Sequence, residues 1–213
     1  MPIYKKKRDK TDCRNYRGIT LLSIPGKIFT KILQKRLQTY VEMTISEEQA
    51  GFRPGRSTID QLFTIRQVTE KYIEGNQTCY INFIDYKQAF DSVWRQGLWQ
   101  SMRNAGISET LIKLIQAIYQ KADGAVKKDK QLTDWFKTEV GTRQGCTLSP
   151  YLFLIIIEVI FNLACKDIET GVQCGGKTLN NLKYADDVSL IATKVEDLQK
   201  ITDIVNDHSE KLD

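Results

Sequence analysis

Histidine is nearly missing from this sequence: 213 residues contain one, His208. That leaves no room for a His-Glu-x-x-His zinc protease or a two-histidine phosphodiesterase. A Ser-His-Asp hydrolase could draw only on His208, which lies in a polar, helix-patterned stretch near the C-terminus. Cysteine is sparse and unorganised. Cys13, Cys79, Cys146, Cys165 and Cys174 are odd in number and scattered, with no Cys-x-x-Cys pair. This argues against a disulfide framework or zinc finger and for thiols in a reducing compartment. Long apolar runs are absent too. The most apolar stretch, residues 151–165, is shorter than a membrane span and carries Glu158, so it predicts a buried helix. The basic N-terminus has no apolar segment behind it, so no secretion signal is expected. The expectation is a soluble, intracellular protein with no membrane partner, whose chemistry rests on carboxylates or cysteines.

What is present is ordinary globular composition, 41% hydrophobic and 27% charged, enough for one large domain or two closely packed subdomains. The net charge of +5 is unevenly placed. Residues 1–17 hold seven basic side chains (Lys5, Lys6, Lys7, Arg8, Lys10, Arg14, Arg17) against two acids, whereas residues 184–213 hold eight acids against three lysines. The basic end reads either as a phosphate-facing surface or as a solvated tail.

Apolar spacing predicts a helix over 26–43, with Ile28/Phe29, Ile32/Leu33, Leu37 and Tyr40/Val41 inward and Lys27, Lys31 and Lys35 opposite. The GFRPGRS segment at 51–57 is loop chemistry. A second helix is predicted over 58–73 with Ile59, Leu62, Phe63, Val68 and Tyr72 inward, ending at Gly75. The period then changes: 78–84 predicts a buried strand closing at Asp85. Helices follow over 95–104 and 109–121, the latter capped by Ser108. Residues 125–140 read as two extended segments around a polar turn at 127–130. Ser149-Pro150 opens the apolar helix, serine as cap and proline at the first helical position. After a glycine-rich break at 171–176, residues 179–183 and 188–192 form a hairpin turning at 184–187. A Thr193-x-x-Glu196 capping box starts a last helix with Leu198, Ile201 and Val205 inward. The order is α+β, without βαβ alternation.

Asp186-Asp187 at a hairpin tip is ordinary turn chemistry by itself. Its flanks are not, because Leu182, Val188, Leu190 and Ile191 predict buried strands on either side. Two carboxylates held there repel one another, and a divalent cation would resolve the conflict. Asp85 closes an apolar strand and reads either as a cap for the next helix or as a third carboxylate beside the hairpin. Three hard oxygen ligands suit Mg²⁺ or Mn²⁺, whose remaining sites go to water and phosphate.

Five segments, in order and spacing, resemble the sequence blocks of reverse transcriptases. FIDYKQAFDSV (83–93), RQGCTLSP (143–150) and YADDVSL (184–190) match three of them; RNYRGITLLS (14–23) and QAGFRPGRSTIDQ (49–61) match two upstream finger blocks in the form typical of non-LTR (LINE-type) retrotransposons. Gly18 departs from the family, which usually has proline there. The resemblance implies a right-hand polymerase with fingers over 1–77 and palm over 78–213, the palm sheet antiparallel and backed by helices. It implies no thumb within these residues, and an endonuclease as a further domain of a longer element protein.

The resemblance also implies roles. Asp85, Asp186 and Asp187 are its catalytic aspartates, holding Mg²⁺ (or Mn²⁺) with the Tyr86 carbonyl. Phe90 is its sugar gate. Gln144 and Gly145 lie against the incoming dNTP, Gln144 as hydrogen-bond partner and Gly145 to let the backbone approach. Arg17 and Arg14 steady the triphosphate. Lys5, Lys6, Lys7, Arg8, Arg53 and Arg56 contact nucleic acid, the partners being an RNA template and a DNA primer. Cys146 is expected to pack rather than react, and Asp91 to cap a helix or meet an arginine. A catalytically silent nucleic-acid-binding fragment and a maturase-like splicing cofactor are the alternatives to a polymerase.

Overall fold

The computed structural model describes residues 1–6, 9–120, 123–128, 131–165 and 170–210. The expectations for Lys7 and Arg8, and for the side chain of Arg14, lie outside the described residues. The N-terminus begins as a small ribbon, β1 (Pro2–Tyr4) antiparallel to β2 (Tyr16–Gly18). Tyr4 and Tyr16 face each other at 5.4 Å between ring centres.

Helix α1 (Ile24–Thr44) is capped by the Ser23 hydroxyl, which accepts from the Gly26 amide at 3.3 Å. Its buried row is Thr30, Leu33, Leu37 and Val41. Ile28, Phe29 and Ile32, expected inward, are 58%, 42% and 47% exposed. The helix carries two apolar stripes, and only one can face the interior; the 33/37/41 row continues into the main core against α6 and so takes that place. Helix α2 (Thr58–Glu74) starts with a Ser57/Asp60 capping box. The same correction applies here. Val68 is buried with Ile65 and Tyr72 beside it, while Ile59, Leu62 and Phe63 point outward.

Next come β3 (Tyr80–Asp85), the single turn α3 (Ala89–Ser92), α4 (Arg95–Asn104) and α5 (Glu109–Gln120). Ser108 caps α5 as expected, accepting from the Leu111 amide at 3.4 Å. The extended region forms a two-tier ribbon: β4 (Asp123–Gly124) pairs with β7 (Phe136–Lys137), and β5 (Lys127–Lys128) with β6 (Gln131–Leu132). Lys127 and Lys128 are thus strand where a turn was expected, and residues 129–130 lie outside the described residues. Helix α6 (Ser149–Cys165) is the apolar helix. Ser149 does not cap it: its hydroxyl donates to the Arg143 carbonyl at 2.7 Å and sits buried in the first turn. Strands β8 (Val172–Cys174), β9 (Lys177–Leu179), β10 (Asn181–Tyr184) and β11 (Asp187–Ala192) precede the last helix, α7 (Val195–Glu210). The carbonyl of Lys194 accepts from the Leu198 amide, so the cap falls one residue beyond Thr193.

The central sheet runs β10-β11-β3, antiparallel throughout. Pleating sends Val188, Leu190 and Ile84 into the main core and Leu182, Ile191 and Ile81 into a smaller one under α2. Both faces of β11 are covered, which explains its unbroken apolar sequence. The helix lying directly on β11 and β3 is α7, with Ile201 and Val205 buried and Asn82 donating to Thr202 at 3.1 Å. Helix α6 backs the sheet at β10, where Glu158 meets Lys183 at 3.5 Å, and packs against α7, α4 and α1. A two-residue connection from β11 folds α7 straight back onto its own strand. No helix among the described residues is long and apolar enough to cross a membrane.

Candidate active site

Register brings the aspartates together. Asp187, the first residue of β11, is the direct antiparallel partner of Asp85, the last residue of β3. Asp186 stands beside them in the turn, after Ala185, which adopts a left-handed φ of 58°. Burial pushes the Asp186 carboxyl above the usual aspartate range, and the charges of Asp187 and Asp85 push it the same way; a backbone hydrogen bond and Arg17 pull against them. Among the described residues no three carboxylates, thiols or imidazoles form a ready-made metal cage. The carboxylates are thus neighbours under mutual repulsion with one side open, a donor set that fits a cation sharing its other ligands with phosphate.

That open side is a cavity of about 1020 Å³. Asp85, Asp186, Tyr86, Phe90, Gln144, Gly145, Arg17 and Lys5 all line it, so most of the expected site residues meet in one place. The ring of Tyr86 points elsewhere, its hydroxyl 3.1 Å from that of Ser209 on α7. Phe90 lies between Phe153 at 4.7 Å and the edge of Phe52 at 6.2 Å, and its carbonyl accepts from both the amide and hydroxyl of Thr142. Gly145 has a φ of 95°, and a Cβ there would stand 3.0 Å from the Thr20 carbonyl, so both space and backbone require glycine.

Two expectations need correcting. The Gln144 side chain donates to both carboxylate oxygens of Asp91 at 2.8 Å, so Asp91 meets a glutamine, neither an arginine nor a helix end. Arg53 is built into its own loop: it is 8% exposed, pairs with Glu42 at 3.1 Å and donates to the carbonyls of Ser46 and Gln49. It is not presented to nucleic acid. The sequence could not show this, because the loop carries two arginines and only Arg56 remains partly exposed, paired with Glu47. Arg53→Ala should therefore destabilise the domain by about 1–3 kcal/mol through orphaned carbonyls and Glu42. The salt dependence of nucleic-acid binding should stay unchanged, since no phosphate contact is lost; a flatter salt slope would return Arg53 to the binding surface. Cys146 is buried, as packing requires, and also lines the cavity.

Sequence reasoning passed over Gln49 and Phe52. Both lie within a recognised block, but only the fold shows what they touch.

A family model described as reverse transcriptase (RNA-dependent DNA polymerase) matches residues 4–213. The chain belongs to the reverse transcriptase family. A Xenopus laevis protein named transposon TX1 uncharacterized 149 kDa protein is 29% identical over 94% of this chain and 15% of its own length. The RNA-directed DNA polymerase from mobile element jockey of Drosophila funebris is 28% identical over 97% of this chain and 22% of its own length. These matches bear out the resemblance to reverse transcriptases of non-LTR retrotransposons. This chain spans about a fifth of the length of the curated relatives it matches. Among solved structures, apo telomerase from Candida tropicalis, truncated from its C-terminal domain, aligns with a TM-score of 0.57 at 18% identity, over 88% of this chain and 38% of that one. The shared fold is the α+β fingers and palm of a right-hand polymerase.

Proposed function

We propose that this chain is the fingers (1–77) and palm (78–213) of an RNA-directed DNA polymerase that extends a DNA primer on an RNA template as part of a retrotransposon protein. The observation that carries this reading is the direct pairing of Asp187 with Asp85, with Asp186 beside them at the wall of the cavity that also holds Phe90 and Gly145. In this reading Asp85, Asp186 and Asp187, with the Tyr86 carbonyl, hold Mg²⁺ or Mn²⁺. When bound, such ions neutralise phosphate charge and favour in-line displacement at phosphorus. The protein's own part is placement. Arg17, which lines the same cavity, meets the negative triphosphate. Gly145 lets the backbone approach the nucleotide, and Gln144, held by Asp91, fixes the loop beside it. Lys5 continues the positive wall along which template phosphates would lie. An endonuclease and a thumb belong to the rest of the element protein in this reading.

Phe90 supports the choice of sugar. Its ring is fixed on two sides by Phe52 and Phe153, so it cannot swing away from a 2′-hydroxyl. Phe90→Ala should raise ribonucleotide incorporation relative to deoxyribonucleotide by about ten- to hundredfold, the range over which pocket shape discriminates a hydroxyl. The ratio is read from single-nucleotide extension by the full-length element protein, and partial unfolding does not change it. Equal discrimination in both proteins would leave Phe90 as core packing.

A further inference from the structure

The turn that carries the aspartates does not support itself. A two-residue hairpin needs a positive φ at its first central position, where glycine, asparagine or aspartate is the ordinary choice. This chain has Ala185 there, at φ 58° and buried. An alanine stays in that region only when its surroundings hold it.

The hold comes from 136 residues away in sequence. Gln49 is fully buried. Its Oε1 accepts from the Ala185 amide at 2.9 Å and from the Gly51 amide at 2.8 Å, and its Nε2 donates to the Ala185 carbonyl at 3.3 Å. One carboxamide therefore satisfies both backbone polar groups of the turn residue. The partners also fix its orientation: flipped, its amide nitrogen would face two N–H donors. The surrounding backbone brings it there. The Lys183 amide donates to Glu48 at 2.8 Å and the Ala50 amide to Lys183 at 2.9 Å, a parallel bridge on the free edge of β10. Gly51 then passes so close that a Cβ would stand 2.2 Å from the Ala185 nitrogen.

We propose that Gln49 is a positioning residue of the active site: through Ala185 it sets the direction in which Asp186 and Asp187 leave the turn. The proposal rests on the reading of these aspartates as cation ligands. Gln49→Met keeps length and volume but removes all three hydrogen bonds. In the full-length protein with primer-template and dNTP, it should lower kcat and raise the half-saturating Mg²⁺ concentration, each by about ten- to hundredfold, as loss of an outer-shell partner does at metal sites. KM for dNTP should stay near its wild-type value. Measured at a temperature where both proteins are fully folded, half-saturation reports the site and not stability, and the Mg²⁺-dependent rise in Tm, read without turnover, should shrink with it. Adding Ala185→Gly to Gln49→Met should restore part of both losses, because glycine takes a positive φ unaided. An unchanged Mg²⁺ half-saturation, with a rate loss that follows the folded fraction and no rescue by Ala185→Gly, overturns the proposal. A wild-type protein without cation-dependent extension overturns the underlying reading of the aspartates, and this inference with it.

Discussion

Asp186→Asn should reduce nucleotide transfer to below about one-thousandth of wild type, a loss at the upper end for removing a preorganised charge from an active site. It should also make the cation-free domain more stable. Asp186 is half-buried and faces Asp187 and Asp85, and these causes raise its carboxyl above the usual aspartate range. A carboxyl whose folded value is raised holds its proton longer folded than unfolded. Its contribution is therefore most favourable at low pH and declines as pH rises from the ordinary aspartate range to the raised folded value. At neutral pH the ionised group strains the site, and an amide of nearly the same shape removes that strain. The wild-type domain should thus lose stability across this pH interval, and Asp186→Asn should lose less. Mg²⁺ binds only the folded arrangement, so at tenfold excess over Kd it should add about 1.4 kcal/mol to the wild type. That is a rise in Tm of a few degrees for a chain of this size, and the variant should not show it. Thermal scans with and without Mg²⁺, over a pH series, check all of this. A variant less stable than wild type in the absence of cations would mean that Asp186 is a structural turn residue.

How much of this site could be read beforehand depends on the distance over which each feature is set. Strand β3 and the hairpin of β10 and β11 follow from short apolar runs and turn residues. These local signals left two-residue shifts at the starts of β3 and β10 and did not show that Tyr80 and Phe83 of β3 are exposed. The convergence of Asp85 with Asp187 needed the family resemblance, because nothing local says which strand pairs with which. Helices α1 and α2 show the opposite failure. Each carries more apolar residues than one stripe can bury, and periodicity alone cannot choose between stripes; α6 and the sheet choose, by being there. Arg53 was misplaced because a polar side chain in a loop looks the same in sequence whether it meets solvent, a ligand or its own loop's carbonyls. Gln49 lies beyond local reading altogether, since its partner is across the fold.

Lys183→Met should cost about 3–5 kcal/mol of folding stability, the expected penalty for leaving a buried carboxylate without its counter-charge. Lys183 sits on β10, three positions before Asp186, and its side chain is 2% exposed; that of Glu158 on α6 is 6% exposed. The ammonium is 3.5 Å from Glu158, donates to the Ser46 hydroxyl at 3.1 Å and stands 4.8 Å over the ring of Phe161. Glu158 in turn accepts from the Ser46 amide at 3.1 Å and hydroxyl at 3.2 Å. The cluster thus ties the end of α1 to the sheet and to α6 at once. Removing only the cation leaves Glu158 charged in a site that water does not reach. Methionine replaces the lysine stem at little packing cost, so the loss measures the orphaned charge. Glu158→Gln in the same chain removes that charge and keeps an acceptor for the Ser46 amide. The double variant should regain most of the lost stability, because well-packed neutral replacements of buried ion pairs are often near neutral. Urea midpoints at constant m-value give the comparison. A single-variant loss under about 1 kcal/mol would instead class the pair with exposed salt bridges. If the double variant does recover, what the cluster supplies is direction: the hydrogen bonds from Ser46 place residues 46–51 along the edge of β10, where Gln49 can reach Ala185.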